Sequence, residues 1–363
     1  MPKKKTKNGR IELLRFLFAI MILLFHIQKR FMNGKVVLAP NLLYLFNRGY
    51  FGVEFFFLVS GYLLAAGCFA KREVPSDLIG TETASMIFKK FKSIFPFHFF
   101  ATILTIIVNA IFIEESVNGR LEYVFGSWAS LLMLQVFGFT STWANKLTWY
   151  LDVWFMVTFI FYYFLRKHYD VFVKIVCPLL ALFILGYMDY QYGSIAGVDV
   201  WTGTFYKCFL RGLAEMALGC AAYSFTRLLN KVEFSQNGKR FLAGCEIIGY
   251  FAIFVYTCTK LPTEYDFLVL FILTVLVVLT FSDINPCHQI FDKPIFSKLG
   301  TMSLLIYLNQ FYSIRLVEGL MDEADFAFKL IACVLITAIG SILCYFVVKS
   351  INFRGLKKWF LVQ

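Results

Sequence analysis

The sequence predicts an all-α polytopic membrane protein with about ten transmembrane helices and one additional short re-entrant or interfacial helix. Its 363 residues are 59% hydrophobic and only 16% charged, whereas soluble domains have about 45–50% apolar and about 25% charged residues. The apolar residues occur in long runs, and about 20 such residues span a bilayer. The net charge of +12 arises from short basic runs between these segments, which fits membrane topology better than a nucleic-acid surface.

Eleven apolar segments can be distinguished along the chain. They cover residues 11–28, 50–70, 94–113, 124–139, 147–165, 171–188, 207–226, 241–258, 265–281, 299–315 and 327–348. The fourth segment, VFGSWASLLMLQVFGF, is short and contains glycine, serine and glutamine, so it is the least suited to cross a membrane.

The positions of lysine and arginine decide how the fourth segment is used, because basic residues concentrate in cytoplasmic loops. If this segment crosses the membrane, the basic loop RKHYDVFVK falls outside and the acidic loop DYQYGSIAGVDVW falls inside. If it stays on the outer side, 23 of the 35 basic residues lie in cytoplasmic segments and 8 lie outside. We therefore expect ten spans with both termini cytoplasmic. The loop after the first span is the exception, since it places Lys29, Arg30, Lys35 and Arg48 outside.

The chain shows no internal repeat, low-complexity tract or long linker. We therefore expect a single membrane domain over residues 1–363, without an appended soluble domain, so that any chemistry arises among the helices. The first apolar run lacks a small-residue cleavage site and is expected to remain as a helix. The nine cysteines contain no CxxC pair, so they predict neither a disulfide framework nor a metal site.

Arg15 and His26 bound the stretch RFLFAIMILLFH in the first segment. Their spacing corresponds to about three helical turns, or about 16 Å, so both side chains lie on one helix face. Glu12 shares that face and can pair with Arg15. In one interpretation Arg15 reaches the inner membrane surface and His26 bonds to a neighbouring group. In the other, the face lines a polar cavity and His26 is a general base, a role that suits imidazole near neutral pH.

The second segment, GYFGVEFFFLVSGYLLA, contains Glu54 in apolar surroundings and Ser60 followed by Gly61. Glu54 and Gly61 are two turns apart and share a face. Close helix packing and a serine hydrogen bond to a carbonyl explain these residues better than a functional role does when the segment is considered by itself. Taken alone, the second segment therefore does not require a functional role.

Together, the first two segments resemble the membrane-bound acyltransferase family 3. The shared pattern is an arginine, ten residues and a histidine in the first span, followed by G-V-(D/E)-x-F-F-x-x-S-G in the second. FKKFKSIFPFHFF resembles the family's basic stretch before the third span, with lysines where arginines are usual. TWYLDVWFMVTFIFYYF resembles a tryptophan-led segment, but Trp154 takes the usual glutamate position and Asp152 lies two residues earlier. FLRGLAEMALGCAAY, with Arg211, and SLLIYLNQF, with Asn309 where many members have histidine, resemble later segments.

The resemblance implies an O-acyltransferase of cell-envelope sugars or polysaccharides in the cell (cytoplasmic) membrane. The donor substrate would be acyl-CoA, commonly acetyl-CoA, and the acceptor an extracytoplasmic or lipid-linked glycan. No bound cofactor, metal or nucleic acid is expected. The implied catalytic residues are His26, Arg15 and Glu54, with His26 either a general base or a transient carrier of the acyl group.

Acyl-CoA binding is assigned by the same resemblance to Arg15 and to the cluster Lys89, Lys90 and Lys92. The three lysines would serve equally well as cytoplasmic anchors in contact with anionic lipids. Four further residues are expected to support the catalytic and binding groups, namely Glu12, Ser60, Asp152 and Arg211.

A proton-coupled transporter or flippase of an envelope glycan precursor is the alternative function. Arg15, His26 and Glu54 would then form a proton relay. Transporters often contain internal repeats, which this sequence does not show. A non-catalytic membrane scaffold would leave the intramembrane arginine, histidine and glutamate unexplained.

Overall fold

The computed structural model describes residues 8–33, 36–39, 43–74, 77–112, 116–284 and 291–351. The basic residues among the first seven positions, Lys35 and the basic residues after position 351 lie outside the described residues. Ten long helices make up most of the described chain. They are α1 (Gly9–Met32), α2 (Phe51–Ala70), α3 (Ile79–Phe112), α4 (Trp149–Lys167), α5 (Tyr169–Tyr192), α6 (Lys207–Leu229), α7 (Gln236–Thr257), α8 (Tyr265–Phe281), α9 (Pro294–Leu320) and α10 (Phe326–Ser350).

Seven helices are long and apolar enough to cross a bilayer, namely α1, α2, α3, α4, α5, α7 and α10. Helix α8 is apolar but has only 17 residues, while α6 and α9 carry arginine and glutamate within their length. The predicted all-α polytopic fold is confirmed. Within the described residues, one long helix occurs at each of the ten segments predicted to span.

The fourth apolar segment forms no continuous helix. Its residues are divided among short pieces, each too short to span a bilayer. These pieces are Val117–Gly126, Trp128–Leu131 and the 3-10 turn Gln135–Phe137. A second 3-10 turn, Lys146–Thr148, leads into α4.

A short antiparallel ribbon, Val37–Ala39 paired with Leu43–Tyr44, lies in the loop after α1. The Arg48 backbone N–H in this loop donates to the Thr257 carbonyl at 2.9 Å. The Arg48 side chain is buried and pairs with the buried carboxylate of Asp266. One of the four basic residues that break the expected charge distribution is therefore neutralised inside the protein.

Helices α2 and α6 meet backbone to backbone. A Cβ atom on Gly61 would lie 2.0 Å from the Met216 carbonyl oxygen, and one on Gly219 would lie 2.1 Å from the Leu58 carbonyl oxygen. Small residues permit such close approach of helices in membranes. We call this contact the glycine seam. Because the two backbones approach closely there, side chains of α6 contact side chains of α2.

Helix α1 begins at Gly9, where the Asn8 side chain accepts a hydrogen bond from the Arg10 backbone N–H at 3.1 Å. It ends at Met32, before Asn33 adopts a left-handed conformation with φ of 48°. Along its length α1 packs extensively on α9. This packing brings polar side chains of α1 next to polar side chains of α9.

Candidate active site

Three cavities follow one another beside α1, α2 and α4, which contribute to the lining of each. The histidine cavity has a volume of about 420 Å³ and includes His26 in its lining. The narrow cavity has a volume of about 120 Å³ and includes Ser60 and Tyr150. The lysine cavity has a volume of about 440 Å³ and includes Lys71 and Lys90.

Shared lining residues connect the three cavities in a series. Val53 and Tyr307 line both the histidine cavity and the narrow cavity. Arg15, Ser60 and Trp154 line both the narrow cavity and the lysine cavity. Among the described residues, the two larger cavities share no lining side chain. The narrow cavity is therefore the link between the two ends of α1.

His26 is held by α9. Its Nδ1 lies 3.4 Å from Oε1 of Gln310, a long hydrogen bond, and the Gln310 Nε2 group donates to the Tyr307 carbonyl at 3.1 Å. Because a carbonyl can only accept, the amide nitrogen must face Tyr307 and its oxygen must face His26. The hydrogen bond to Gln310 therefore requires a proton on Nδ1 of His26. In the neutral imidazole, this leaves Nε2 with a lone pair that can take a proton.

Asn309 of SLLIYLNQF lies beside Gln310 on α9. Its side chain is buried and donates to the Leu305 carbonyl within α9 at 2.8 Å. The next residue, Gln310, contacts His26 instead. The sequence signal for this role was the run of two amides, Asn309 and Gln310, inside an otherwise apolar segment.

Glu54 and Arg211 form a buried ion pair across the glycine seam. The Arg211 Nε group donates to Oε2 of Glu54 at 2.9 Å, and a second bond joins Nη2 to Oε1. Arg211 also contacts Glu215 at 3.2 Å. Arg211 lines the histidine cavity, whereas Glu54 lies behind it and is absent from the linings of the three cavities as the described residues define them. The geometry thus gives Glu54 the position of a group that holds Arg211.

Arg15 lies at the other end of α1. Its Nη1 is 3.3 Å from Oε1 of Glu12, so the pairing predicted from their spacing is present. Arg15 lines the narrow and lysine cavities, and His26 lines the histidine cavity. The two residues therefore share one face of α1 and one series of cavities, but they do not line the same cavity.

The side chains of the three clustered lysines, Lys89, Lys90 and Lys92, lie on different faces of α3. Lys90 lines the lysine cavity and places its ammonium group 4.9 Å from the centre of the Trp154 ring. Lys89 and Lys92 are exposed, and Lys92 lies over the Phe88 ring. Within the described part of the chain, only Lys90 of this cluster belongs to the cavity lining.

Lys71 is a cavity residue that the sequence did not single out. It follows the last residue of α2, and its ammonium group bonds to the Tyr162 hydroxyl at 3.3 Å and to Glu82 at 3.2 Å. The hydrogen bond to Tyr162 and the contact with Glu82 raise the pKa of Lys71 above its usual value. Lys71 therefore stays cationic, and with Lys90 and Arg15 it places three basic side chains in the lining of the lysine cavity.

Ser60 and Asp152 have different surroundings. The Ser60 hydroxyl lies 3.3 Å from the Tyr150 hydroxyl, so one donates to the other and one O–H is left to donate at the wall of the narrow cavity. Asp152 points elsewhere: its buried carboxylate accepts from the Gln135 backbone N–H at 3.0 Å. Asp152 thus secures the broken fourth segment and is absent from the linings of the three cavities, whereas Trp154 of the same motif lines two of them.

Aromatic and charged groups surround His26 at the wide end of the histidine cavity. Its lining includes the rings of Tyr50 and Trp149, the exposed cations Lys29 and Lys146, and the carboxylate of Asp199. The Tyr50 hydroxyl donates to the buried carboxylate of Asp266 at 2.5 Å. Tyr50 is therefore held in place as a wall group of the cavity.

A family model described as an acyltransferase domain, that of acyltransferase family 3, matches residues 8–348 of the chain. The match spans α1 to α10 and so includes every residue that lines the three cavities. Comparisons with curated proteins and with solved structures gave no match.

Proposed function

The chain belongs to acyltransferase family 3, and we propose that it is an integral membrane O-acyltransferase of the cell envelope. The proposed donor is acyl-CoA, with acetyl-CoA as the simplest case. The proposed acceptor is a hydroxyl group of an extracytoplasmic or lipid-linked sugar or polysaccharide. One observation supports this above the others: a series of cavities joins cations near one end of α1 to His26 near the other.

The lysine cavity suits the donor. Acyl-CoA carries several phosphate charges, and Arg15, Lys71 and Lys90 supply positive charge at this cavity. Trp154 and the aromatic ring of Tyr162 offer apolar surface beside those cations. With the phosphates held there, the pantetheine arm would extend toward Ser60 and Tyr150.

The histidine cavity suits the acceptor. Its volume of about 420 Å³ lies within the range of small-molecule sites. Tyr50 and Trp149 offer ring faces to a sugar, and Asp199 and Lys146 offer hydrogen-bonding groups near the opening. An acceptor hydroxyl in this cavity would approach the unprotonated Nε2 of His26.

In the proposed reaction, Nε2 of His26 takes the proton of the acceptor hydroxyl as its oxygen attacks the thioester carbonyl. The O–H left free by the Ser60–Tyr150 pair can donate to the carbonyl oxygen as negative charge develops there. The new carbon–oxygen bond forms, the carbon–sulfur bond breaks, and the CoA thiolate receives the proton from the histidine. An acyl-histidine route would use the same Nε2 as nucleophile and would release CoA before acceptor binds.

The experiment is transfer of radiolabelled acetyl groups from acetyl-CoA to a crude envelope glycan by purified protein. We expect His26→Ala to lower transfer by about 10²–10⁴-fold, the usual contribution of a general base. His168→Ala is the matched control, because His168 is exposed at the end of α4.

Undiminished transfer by His26→Ala would refute the role of His26. Proton-coupled glycan uptake without label transfer would favour a transporter. Release of CoA without acceptor would favour the acyl-histidine route.

A further inference from the structure

The narrow cavity is the feature from which a further property of the site follows. It shares lining residues with both larger cavities, but its volume of about 120 Å³ is less than a third of either. If donor and acceptor bind as proposed, the acyl group lies in the narrow cavity when the thioester meets the hydroxyl. We infer that this cavity restricts the enzyme to short acyl groups and that Trp154 sets the limit; the inference rests on the proposed function.

The volume of the narrow cavity limits the size of the acyl group that it can hold. An apolar cavity of about 150 Å³ accommodates benzene, which has six carbon atoms. A cavity of about 120 Å³ therefore has room for an acetyl or butanoyl group, whereas the nine heavy atoms of an octanoyl group exceed it and would enter the space proposed for the acceptor or for CoA. The walls are mostly apolar, with Phe56, Leu304 and Trp154 among them, so they fit a short hydrocarbon chain.

Trp154 is the wall residue placed to set this limit. It lines the narrow cavity and the lysine cavity, and only 9% of its surface is exposed. The Phe155 ring packs edge-on against it with centroids 4.8 Å apart, and the Lys90 ammonium lies 4.9 Å from the indole centre. These contacts hold the indole in place, so a long acyl chain cannot simply displace it.

Removing the Trp154 indole should enlarge the narrow cavity, whose wall it forms. Truncating a large buried side chain leaves a cavity, because the surrounding groups collapse only partly. Trp154→Ala should therefore lengthen the space available to the acyl group.

The first measurement compares transfer from acetyl-CoA, butanoyl-CoA and octanoyl-CoA. We expect wild-type protein to prefer acetyl over octanoyl by at least about tenfold in kcat/KM, since single methylene groups are discriminated by about 10–200-fold. Trp154→Ala should reduce this ratio to less than about threefold by gaining octanoyl transfer. Phe159→Ala, on α4 but absent from the three cavity linings and with 49% of Phe159 exposed, should keep the wild-type ratio.

The second measurement separates this inference from the transferase proposal. Binding of non-transferable thioether analogues of acetyl-CoA and octanoyl-CoA is measured for the same three proteins. A wild-type protein that binds or transfers both lengths equally would overturn the inference, as would an unchanged ratio in Trp154→Ala. If no acyl group is transferred but binding depends on chain length and on Trp154, the transferase proposal fails and the size limit stands. Should Trp154→Ala not fold, Leu304→Ala enlarges the same wall and is read in the same way.

Discussion

At the scale of single residues, the orientation of one amide determines what His26 can do. Gln310 accepts from Nδ1 of His26 while its own nitrogen donates to the Tyr307 carbonyl. The imidazole is thereby kept in the tautomer whose Nε2 is free to accept a proton. Such a partner acts on the reacting group without touching the substrate, as the residues that orient metal-bound histidines also do.

Replacing Gln310 with leucine should remove this orientation. We expect Gln310→Leu to lower kcat by about 10–100-fold with little change in KM, the magnitude found when partners that orient a histidine are removed. Gln310→Glu keeps an oxygen acceptor for Nδ1 and should retain more activity than the leucine variant. Steady-state kinetics with acetyl-CoA measure both. A leucine variant with full kcat would show that Gln310 does not orient the base.

The lysines of α3 provide a second test at residue scale. Lys90 lines the lysine cavity, whereas Lys89 is exposed on another face of the helix. We expect Lys90→Gln to raise KM for acyl-CoA by about tenfold, equivalent to about 1.4 kcal/mol, because a phosphate contact is lost. Lys89→Gln should leave KM unchanged. Equal effects of the two substitutions would indicate general attraction by surface charge and would contradict a specific contact.

At the scale of helices, the glycine seam fixes the distance between α2 and α6. A side chain at either Gly61 or Gly219 would overlap the carbonyl of the facing helix. Backbone atoms cannot rotate away as a side chain can, so the helices themselves would have to separate. Separation would disturb the Glu54–Arg211 pair, which depends on the same close approach.

We therefore expect Gly61→Ala to lower the free energy of unfolding in detergent by about 1–3 kcal/mol or more, the usual cost of overpacking. Gly67→Ala on the same helix is the control, because a Cβ there would meet nothing within 4 Å. Thermal unfolding followed by circular dichroism measures both. Equal melting temperatures for the two variants would argue against a tight seam.

The helices themselves were largely predictable, because runs of apolar residues extend over the length that a bilayer requires. The beginning of α3 was not: it starts at Ile79, whereas the apolar run begins near residue 94. Residues 79–93 mix polar and apolar side chains, so no long apolar run marks them as part of this helix. Lys89, Lys90 and Lys92 therefore diverge by about 100° per residue around one helix, so they cannot all face one cavity.

The candidate site was predictable only where its groups were rare in their surroundings. Arg15, His26 and Glu54 stand out as ionisable residues in apolar segments, and the structure places the first two on one series of cavities. Lys71 and Tyr150 do not stand out in the sequence, because lysines at helix ends and tyrosines within apolar segments are common in this chain. Only the packing of α2 and α4 shows that these two residues line the cavities. Asp152 was equally conspicuous in the sequence, but its contact with Gln135 is set by a loop conformation that the sequence did not specify.

At the scale of the whole molecule, the ten long helices imply that both ends of the chain lie on the same side of the membrane if each helix crosses once. We expect that side to be cytoplasmic. Green fluorescent protein fused to the C-terminus should fluoresce, and alkaline phosphatase at the same position should be inactive. Alkaline phosphatase inserted at Gly203, in the loop between α5 and α6, should be active. The reverse pattern would invert the proposed orientation and assign the lysine cavity to the outer face.

The small volume of the link between the two large cavities also bears on the electrical integrity of the membrane. Each elementary charge that crosses a potential of 100 mV carries about 2.3 kcal/mol, so an open aqueous path through an acyltransferase would discharge the cell. Apolar constrictions resist wetting and block ions, and Phe56, Leu151 and Trp154 provide such walls here. In the proposed reaction, an uncharged acyl group would pass from donor to acceptor at that point, while the phosphates of CoA would remain in the lysine cavity. The proposed transfer would then proceed without opening a path for protons through the protein.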